Sequence, residues 1–274
     1  MTAILSWITN DGKPGAASLY LASDSRISTP LEDGSYQIND DSCQKVFASK
    51  DSPDLFAFCG PISGVKKFIA ALINAAPQAR LAKHYGEGAE SLFAEDLFQH
   101  VLGQNEFGLL HGLTVFHGYR FGTRQFGLTS VTFTHNQNFN LKHHSPNADW
   151  GLLAIDGYGE KMVVKQQAEY IDTQSESKGY SRWLWMSFYD SLIAPQNPTC
   201  GGAPQIAALF GRNGGAELGV FFKDTAYVAG KPKVRDDIEY RDGLFQRVDA
   251  QGILLPNAQP QVKMGKPRIF EFAQ

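Results

Sequence analysis

Runs of apolar residues predict β-strands at the start of the chain. TAILSWIT (2–9) and ASLYLASDS (17–25) are strand-like, and Asn-Asp-Gly and Pro-Gly in the connecting NDGKPGA favour a turn, so we expect a hairpin. KVFAS (45–49) and DLFAFCG (54–60) repeat the pattern. Because Leu55 to Cys59 are apolar on both alternating faces, we expect that strand to be covered on both sides of its sheet.

The hydrophobic period changes after Pro61, where it becomes helical. Apolar residues at helical spacing predict an amphipathic helix that ends at about Pro77: Val65, Phe68, Ile69, Leu72 and Ile73. AESLFAEDLFQHVL (89–102) predicts a second helix, and a second set of strands is expected between about 109 and 142. Helical patterns return at GEKMVVKQQAEY (159–170) and SRWLWMSFYDSLI (181–193), and two short strands follow in residues 216–230.

The order of these elements predicts the fold class. Helices fall in two blocks and strands are mostly joined by hairpins, so we expect an α+β fold. The expected architecture is a four-layer αββα sandwich, with two stacked antiparallel sheets and a helical layer outside each. We assign this domain to residues 1–230. Residues 231–274 are polar and interrupted by Gly and Pro, which predicts a C-terminal extension that wraps the surface or a neighbouring subunit, with a disordered tail as the alternative.

Composition excludes several classes of protein and partner. The chain has 274 residues, 43% of them hydrophobic, and a net charge of −3, so we expect neither nucleic acid nor an anionic membrane as partner. Three cysteines without a C-x-x-C pair suggest neither a disulfide framework nor a zinc site, and we expect no metal and no cofactor. The start of the chain lacks the pattern of a secretion signal, so a cytoplasmic location is expected.

Thr2 is the first candidate for chemistry. Removal of Met1 would leave a residue that carries both a hydroxyl and a free α-amine, which is a nucleophile with its own base. A nearby lysine would disfavour the protonated amine and stabilise the ionised oxygen, and an aspartate would hold both groups in place. Asp24 ends the second predicted strand and Lys45 begins the third, so both are candidates. Alternatively, Thr2 is only the first residue of a strand, Asp24 a turn former and Lys45 a solvated charge.

Together and in order, these segments resemble the N-terminal half of a known family. Thr2, LASDSRIS, QKVF, FAFCG and GVKKF are similar to β subunits of the proteasome family, which are N-terminal-nucleophile hydrolases and include the bacterial ring peptidases. The resemblance implies that Thr2 is the nucleophile, Asp24 the orienting carboxylate and Lys45 the activating lysine. It further implies that the backbone N–H of Gly60 forms the oxyanion hole.

The resemblance continues, with differences, in the C-terminal half. The family has an aspartate near a helix end and then Ser-Gly-Gly, and this chain has Asp190 followed by Cys200-Gly201-Gly202. Asp190 is thus the implied second catalytic aspartate, while Cys200 replaces the serine. A family serine in a Gly-Ser-Gly turn supports the nucleophile's amine, but the corresponding segment here is Gly157-Tyr158-Gly159.

Two residues are expected to bind substrate. By the resemblance, Ser28 would hydrogen-bond the substrate backbone. Phe58 lies two residues before Gly60, so on a strand it points to the same side and would form the floor of a shallow pocket. The alternative for Phe58 is an ordinary place in the hydrophobic core.

The resemblance implies a threonine hydrolase that cleaves peptide or amide bonds through an acyl-enzyme on Thr2. It also implies a homo-oligomer, most simply a ring, with peptide or protein substrates and an ATPase unfoldase as partner. Two alternatives stay open. One is a non-peptidolytic, ring-forming assembly subunit of the same fold, and the other is an amidohydrolase that acts on small amides.

Overall fold

The computed structural model describes residues 2–11, 13–82, 90–104, 107, 110–135, 138–145, 151–157, 159–161, 163–166, 180–193 and 199–256. Within these residues the fold is α+β, with antiparallel sheets and few helices, as the sequence predicted for the fold class. The strands, in chain order, are β1 (Ala3–Thr9), β2 (Ser18–Ser23), β3 (Ile27–Pro30), β4 (Tyr36–Asp40), β5 (Val46–Ala48), β6 (Asp54–Cys59), β7 (Thr114–Arg120), β8 (Phe126–His135), β9 (Asn138–His144), β10 (Gly151–Gly157), β11 (Gln205–Phe210), β12 (Gly215–Phe222), β13 (Thr225–Val228), β14 (Lys231–Pro232), β15 (Tyr240–Arg241) and β16 (Arg247–Val248).

These strands form two large sheets and one hairpin. The first sheet runs β10-β1-β2-β11-β12-β13-β14, and β15 pairs with both β12 and β16. The second sheet runs β5-β6-β7-β8-β9, and β3 pairs with β4. The described strand pairs are antiparallel except β12 with β15, which are parallel. The predicted hairpin of β1 and β2 is confirmed, with Ile4 opposite Ser23 and Thr9 opposite Ser18.

Three helices have bounds in the described residues: α1 (Val65–Ala82), α2 (Glu90–Gln104) and α3 (Tyr180–Ile193). Of the helix predicted over 159–170, residues 160–161 and 163–166 are helical, and 162 and 167–170 lie outside the described residues. None of the described helices is long and apolar enough to cross a membrane.

The predicted end of α1 at Pro77 is wrong, because the helix continues to Ala82. Proline lacks the N–H that would bond to the carbonyl of residue 73, which weakens a helix but does not always end it. Tertiary contacts hold the last turns of α1 in place. Ala76 is fully buried, and Arg80 forms an ion pair with Asp54 of the second sheet.

Alternating side chains of the strands divide the apolar residues into three main cores. Ile4 and Ile8 of β1 and Leu55 and Ala57 of β6 belong to the inter-sheet core, where the two sheets face each other. Leu5 and Trp7 face the other way, into the α3 core, with Leu184, Trp185 and Phe188. Phe56 and Phe58 face the α1/α2 core, with Phe68, Leu72, Phe93 and Phe98. The prediction that Leu55 to Cys59 form a strand covered on both sides is therefore confirmed.

The described part of the C-terminal extension packs on the first sheet. β15 continues that sheet beside β12, and Tyr240 and Arg241 are buried. Phe245 joins the α3 core, where its ring lies 5.8 Å from that of Trp7 and 5.5 Å from that of Tyr20. The described residues 231–256 therefore pack against the first sheet and the α3 core of their own chain, while 257–274 lie outside the described residues.

Candidate active site

Asp24 lies at the centre of the candidate site, just after β2 ends at Ser23. Its carboxylate is fully buried and accepts a hydrogen bond from Nζ of Lys45 at 2.9 Å. Three backbone N–H groups also donate to it, from Ala3 at 3.1 Å, Arg26 at 3.2 Å and Gly201 at 3.1 Å. A buried carboxylate needs this number of partners, since an unpaired charge in the interior is costly.

Thr2 lies one residue from a backbone N–H that bonds to this carboxylate. Thr2 precedes β1 and is buried, and the N–H of the next residue, Ala3, bonds to Oδ1 of Asp24. The same oxygen accepts Lys45 Nζ. The Gly157 backbone lies opposite Ala3, and a side chain there would collide with the carbonyl of Thr2. The structure therefore brings Asp24 and Lys45 into contact and places Thr2 next to the residue that shares this carboxylate, although 43 positions of the sequence separate Thr2 from Lys45.

Lys45 comes to this point from the second sheet. It directly precedes β5, and its side chain is almost fully buried. Besides Asp24, its ammonium donates to the carbonyl of Arg26 at 2.5 Å. The Arg26 guanidinium forms a two-pronged ion pair with Asp41, at 2.7 and 2.9 Å, which secures the turn that supplies this carbonyl.

Gly60 directly follows β6, at the end of that strand which lies beside Lys45. The carbonyl of Lys45 accepts the N–H of Phe58 at 3.2 Å, so Gly60 is two residues farther along that strand. Gly60 is exposed and has a φ of 121°, and a Cβ there would lie 2.5 Å from the carbonyl oxygen of Gly112. Only glycine fits this position without displacing the neighbouring backbone.

Cys200 also lies next to the site. A side chain on Gly159 would meet Ala3 and the Cys200 sulfur, so these three residues are neighbours. Burial, and secondly the nearby Asp24 carboxylate, raise the pKa of the Cys200 thiol to about 12. Cys200 is therefore a neutral thiol at physiological pH. Tyr158, the other position where the family serine is missing, lies outside the described residues.

The remaining predicted residues have different surroundings. Ser28 is buried and its hydroxyl donates to the carbonyl of Thr199 at 3.2 Å, next to Cys200. Asp190 is half-buried near the end of α3 and is not among the partners of Asp24 or Lys45 named above. Phe58 is fully buried in the α1/α2 core, with its ring 6.4 Å from that of Phe47. The substrate and catalytic roles of these three residues stay predictions.

Sequence reasoning missed Gln205, which bonds to the backbone on both sides of the site. It opens β11, a strand that was itself missed, and its amide is buried. The only sequence signal was a polar residue at the start of the apolar run QIAALF.

No group of three or more His, Cys, Asp or Glu side chains in the described part of the chain is arranged to hold a metal ion. The site instead consists of Lys45 and Asp24, beside Ala3, the first residue of the buried strand β1. No protein-family model matches this chain, and no curated protein matches its sequence.

Proposed function

We propose that the chain is a proteasome-like threonine hydrolase, which cleaves peptide or amide bonds through an acyl-enzyme on Thr2 once Met1 is removed. One observation carries the proposal: Oδ1 of Asp24 lies 3.1 Å from the nitrogen of Ala3 and 2.9 Å from Nζ of Lys45. The residue next to the nucleophile is thus tied to the lysine through one oxygen. The proposal also takes the two sheets and their three cores as the four-layer αββα sandwich of that family.

The chemistry needs only groups that the chain supplies. An N-terminal amine has a pKa of about 7.7–8.0, so part of it is unprotonated near neutral pH. The Thr2 hydroxyl attacks the substrate carbonyl carbon and passes its proton to the α-amine, which returns it to the leaving nitrogen as the C–N bond breaks. Water then attacks the resulting ester and frees the acid and Thr2.

Each neighbouring residue has one role in this scheme. The Lys45 ammonium disfavours the protonated amine and stabilises the ionised oxygen of Thr2. Asp24 orients both, and the N–H of Gly60 donates to the oxyanion that forms on the substrate carbonyl. Asp190 is the second carboxylate, Ser28 bonds the substrate backbone and Phe58 limits the pocket, as the resemblance and the strand pattern imply.

The partners in this proposal follow from the family. We propose a homo-oligomeric ring that acts on peptides or proteins, with an ATPase unfoldase that delivers them and with no cofactor, nucleic acid or membrane. A cytoplasmic location is part of the proposal, and the three free cysteines support a reducing compartment.

Cys200 favours a second candidate function. A neutral, buried thiol stands where the family has a hydroxyl, which is a stronger hydrogen-bonding group. A non-peptidolytic, ring-forming subunit would tolerate that change. A small-amide amidohydrolase is a third candidate, which keeps the Thr2 chemistry and changes only the substrate.

The decisive experiment is covalent labelling of Thr2. Purified protein is first weighed intact, and loss of Met1 is expected. A peptide vinyl sulfone should then add once per chain at Thr2, as peptide mass spectrometry would locate it. Thr2→Ala should take up no label, while the control Thr225→Ala, at an exposed position of β13, should label like the parent.

Other outcomes separate the candidates. A ring that forms but takes up no label identifies the assembly subunit. Labelling by a small acyl electrophile, without cleavage of any peptide in a fluorogenic panel, identifies the amidohydrolase. A chain that keeps Met1 in every molecule would overturn all mechanisms based on Thr2.

A further inference from the structure

The candidate active site is divided between two sheets. Thr2 and Asp24 adjoin β1 and β2 of the first sheet, whereas Lys45 adjoins β5 of the second. Most of the contact between these sheets is the inter-sheet core, which is apolar, and the bond from the Gly215 N–H to the Ser49 carbonyl at 2.7 Å joins them at the other end of β5 from Lys45. Burial of apolar surface is non-directional, so it does not by itself set an ammonium 2.9 Å from a carboxylate oxygen. Directional contacts are needed at this point. One is the bond from the Cys43 N–H to the Ser25 carbonyl at 3.0 Å, and another is needed at Lys45 itself.

The Gln205 side chain supplies that contact. Its Oε1 accepts the backbone N–H of Lys45 at 2.9 Å and lies 3.4 Å from the N of Val46. Its Nε2 donates to the backbone carbonyls of Asp24 at 3.1 Å and Cys43 at 2.6 Å. One amide therefore bonds to the main chain of both members of the ion pair, Asp24 and Lys45. It also bonds to the main chain of Cys43 and Val46, which flank Lys45 in the sequence.

The surroundings of Gln205 leave this amide little freedom. Gln205 is 2% exposed, and it is paired with Ser23 in the first sheet, one position before Asp24. Gly230, with a φ of 77°, lies so close that a Cβ there would be 3.0 Å from Nε2 of Gln205. Because its four partners are backbone groups, the amide fixes where each chain runs, and the side chains of Asp24 and Lys45 start from fixed points.

We propose that Gln205 is a positioning residue of the site, which sets the distance between Lys45 and Asp24 across the two sheets. The inference rests on the proposed function for its effect on rate, and on geometry alone for its effect on the ion pair. Gln205 does not touch the substrate or Thr2 in this scheme. Its loss should therefore slow the chemical step and leave binding of the substrate unchanged.

Gln205→Met tests this, since methionine has a similar length but offers no amide. With a peptide vinyl sulfone, the maximal labelling rate of Thr2 should fall at least about 10-fold, because small misplacements of catalytic groups are costly. The half-saturating probe concentration should stay the same. A crystal structure of the variant should show Lys45 Nζ beyond hydrogen-bond distance of Asp24 Oδ1.

The matched control is Leu209→Ala on the same strand. Leu209 is fully buried in the inter-sheet core, so this variant loses stability without losing a polar contact to the site. It should melt earlier than the parent yet label at the parental rate when folded. Gln205→Asn, which keeps the amide but is one methylene too short for all four bonds, is the second variant and should lose rate in the same way.

The outcomes separate this inference from the proposed function. If the parent takes up no label, the proposed function fails, and the crystal structure of Gln205→Met still decides the positioning role. A retained Lys45–Asp24 contact in that structure overturns the inference, as does an unchanged maximal labelling rate. If neither Gln205 variant folds, Gln205 serves stability alone and the inference is also overturned.

Discussion

Two buried aspartates lie at strand ends, one in each sheet, and their carboxylates have very different hydrogen-bond partners. Asp24 is bound by one lysine and three backbone N–H groups, beside the first residues of the chain. Asp54 opens β6, the strand that Gly60 follows, and is bound by Arg80 and His117. Both carboxylates are fully buried. The strand β6 thus has a charged cluster at each end.

Paired hydrogen bonds and ring contacts fix the geometry of the Asp54 cluster. Nε and Nη2 of Arg80 donate to its two oxygens at 2.9 and 2.6 Å, which is the paired geometry of the strongest ion pairs. The guanidinium lies 4.5 Å from the centre of the Phe93 ring, and the His117 ring stacks on Phe56 at 4.6 Å. Burial alone would raise the pKa of Asp54, but the bonds from His117 and Arg80 outweigh it and hold that pKa well below its usual range.

The comparison separates a structural cluster from a candidate catalytic one. Arg80 belongs to α1 and Asp54 to the second sheet, so their bond fastens a helix to a sheet. Aromatic rings surround that cluster, and Arg80 and His117 both direct their hydrogen bonds to Asp54. Asp24 instead shares one oxygen between Lys45 and the residue after Thr2, which brings the lysine close to the start of the chain. A lysine is also a point charge on a flexible stem, suited to act on a neighbouring group.

The largest expected effect comes from Lys45→Ala. Labelling of Thr2 should fall at least about 1000-fold, since the variant loses both the charge that activates the amine and the charge that stabilises the oxygen. The melting temperature should also fall, because Asp24 stays buried without its cation. The measurement is the labelling rate of the folded protein with a peptide vinyl sulfone.

Two controls sharpen the Lys45 experiment. Lys67→Ala removes an exposed lysine of α1 and should leave the labelling rate and the melting temperature unchanged. Lys45→Arg keeps the charge but replaces the compact ammonium by a planar fork, so stability should partly return while labelling stays low. Equal labelling of Lys45→Ala and the parent would remove Lys45 from the mechanism and make the two clusters alike.

Periodicity predicted many of the elements with strong apolar patterns, and the elements that it missed have two different causes. β1, β2, β6 and α1 have clear periods and were found. The hairpin of β3 and β4 was missed because most of its residues are exposed and polar, so no buried face marks it. β10 and β11 were also missed. Their pairing with β1 and β2 is a long-range contact that local pattern does not reveal.

The candidate site was predicted in part, and through the family resemblance. Spacing alone gives no reason for Asp24 and Lys45 to touch, and the order of the motifs supplied it. Gln205 escaped because its four partners are backbone groups, which have no sequence signature. The Asp54 cluster was missed because an aspartate after Ser-Pro looks like a turn residue.

The second prediction tests the Asp54 cluster. Asp54→Asn removes the charge opposite Arg80 and should lower the free energy of unfolding by about 3 kcal/mol, near the lower end for breaking a buried pair. Arg80 is partly exposed and keeps a bond to the carbonyl of Arg120, which limits the loss. Urea unfolding measures the stability, and the labelling rate of the folded variant should equal the parental rate. A large loss of rate would show that the two ends of β6 are coupled.

The smallest expected effect is a dependence of stability on pH that arises from His117. Burial lowers the pKa of this histidine below its usual value, although the bond to Asp54 works in the opposite direction. Its Nε2 faces Asp54, and its buried Nδ1 has no hydrogen-bond partner among the described residues, so a second proton there would have no acceptor. The folded protein therefore keeps His117 neutral where the unfolded chain, with a pKa of about 6.5, takes up a proton.

The sign of the effect follows from this difference. The unfolded state binds more protons below about pH 6.5, so the stability contributed by neutral His117 is present above that pH and is lost as the pH falls. The free energy of unfolding measured with urea should therefore fall between pH 7 and 5, and Asp54 stays ionised throughout because its pKa is lowered. His144, whose pKa burial lowers to about 4, acts in the same direction. His117→Gln keeps a donor to Asp54 and should reduce the slope of stability against pH. An unchanged slope in His117→Gln would mean that His117 takes up its proton equally in the folded and the unfolded state, and it would remove the clearest electrostatic difference between the two ends of β6.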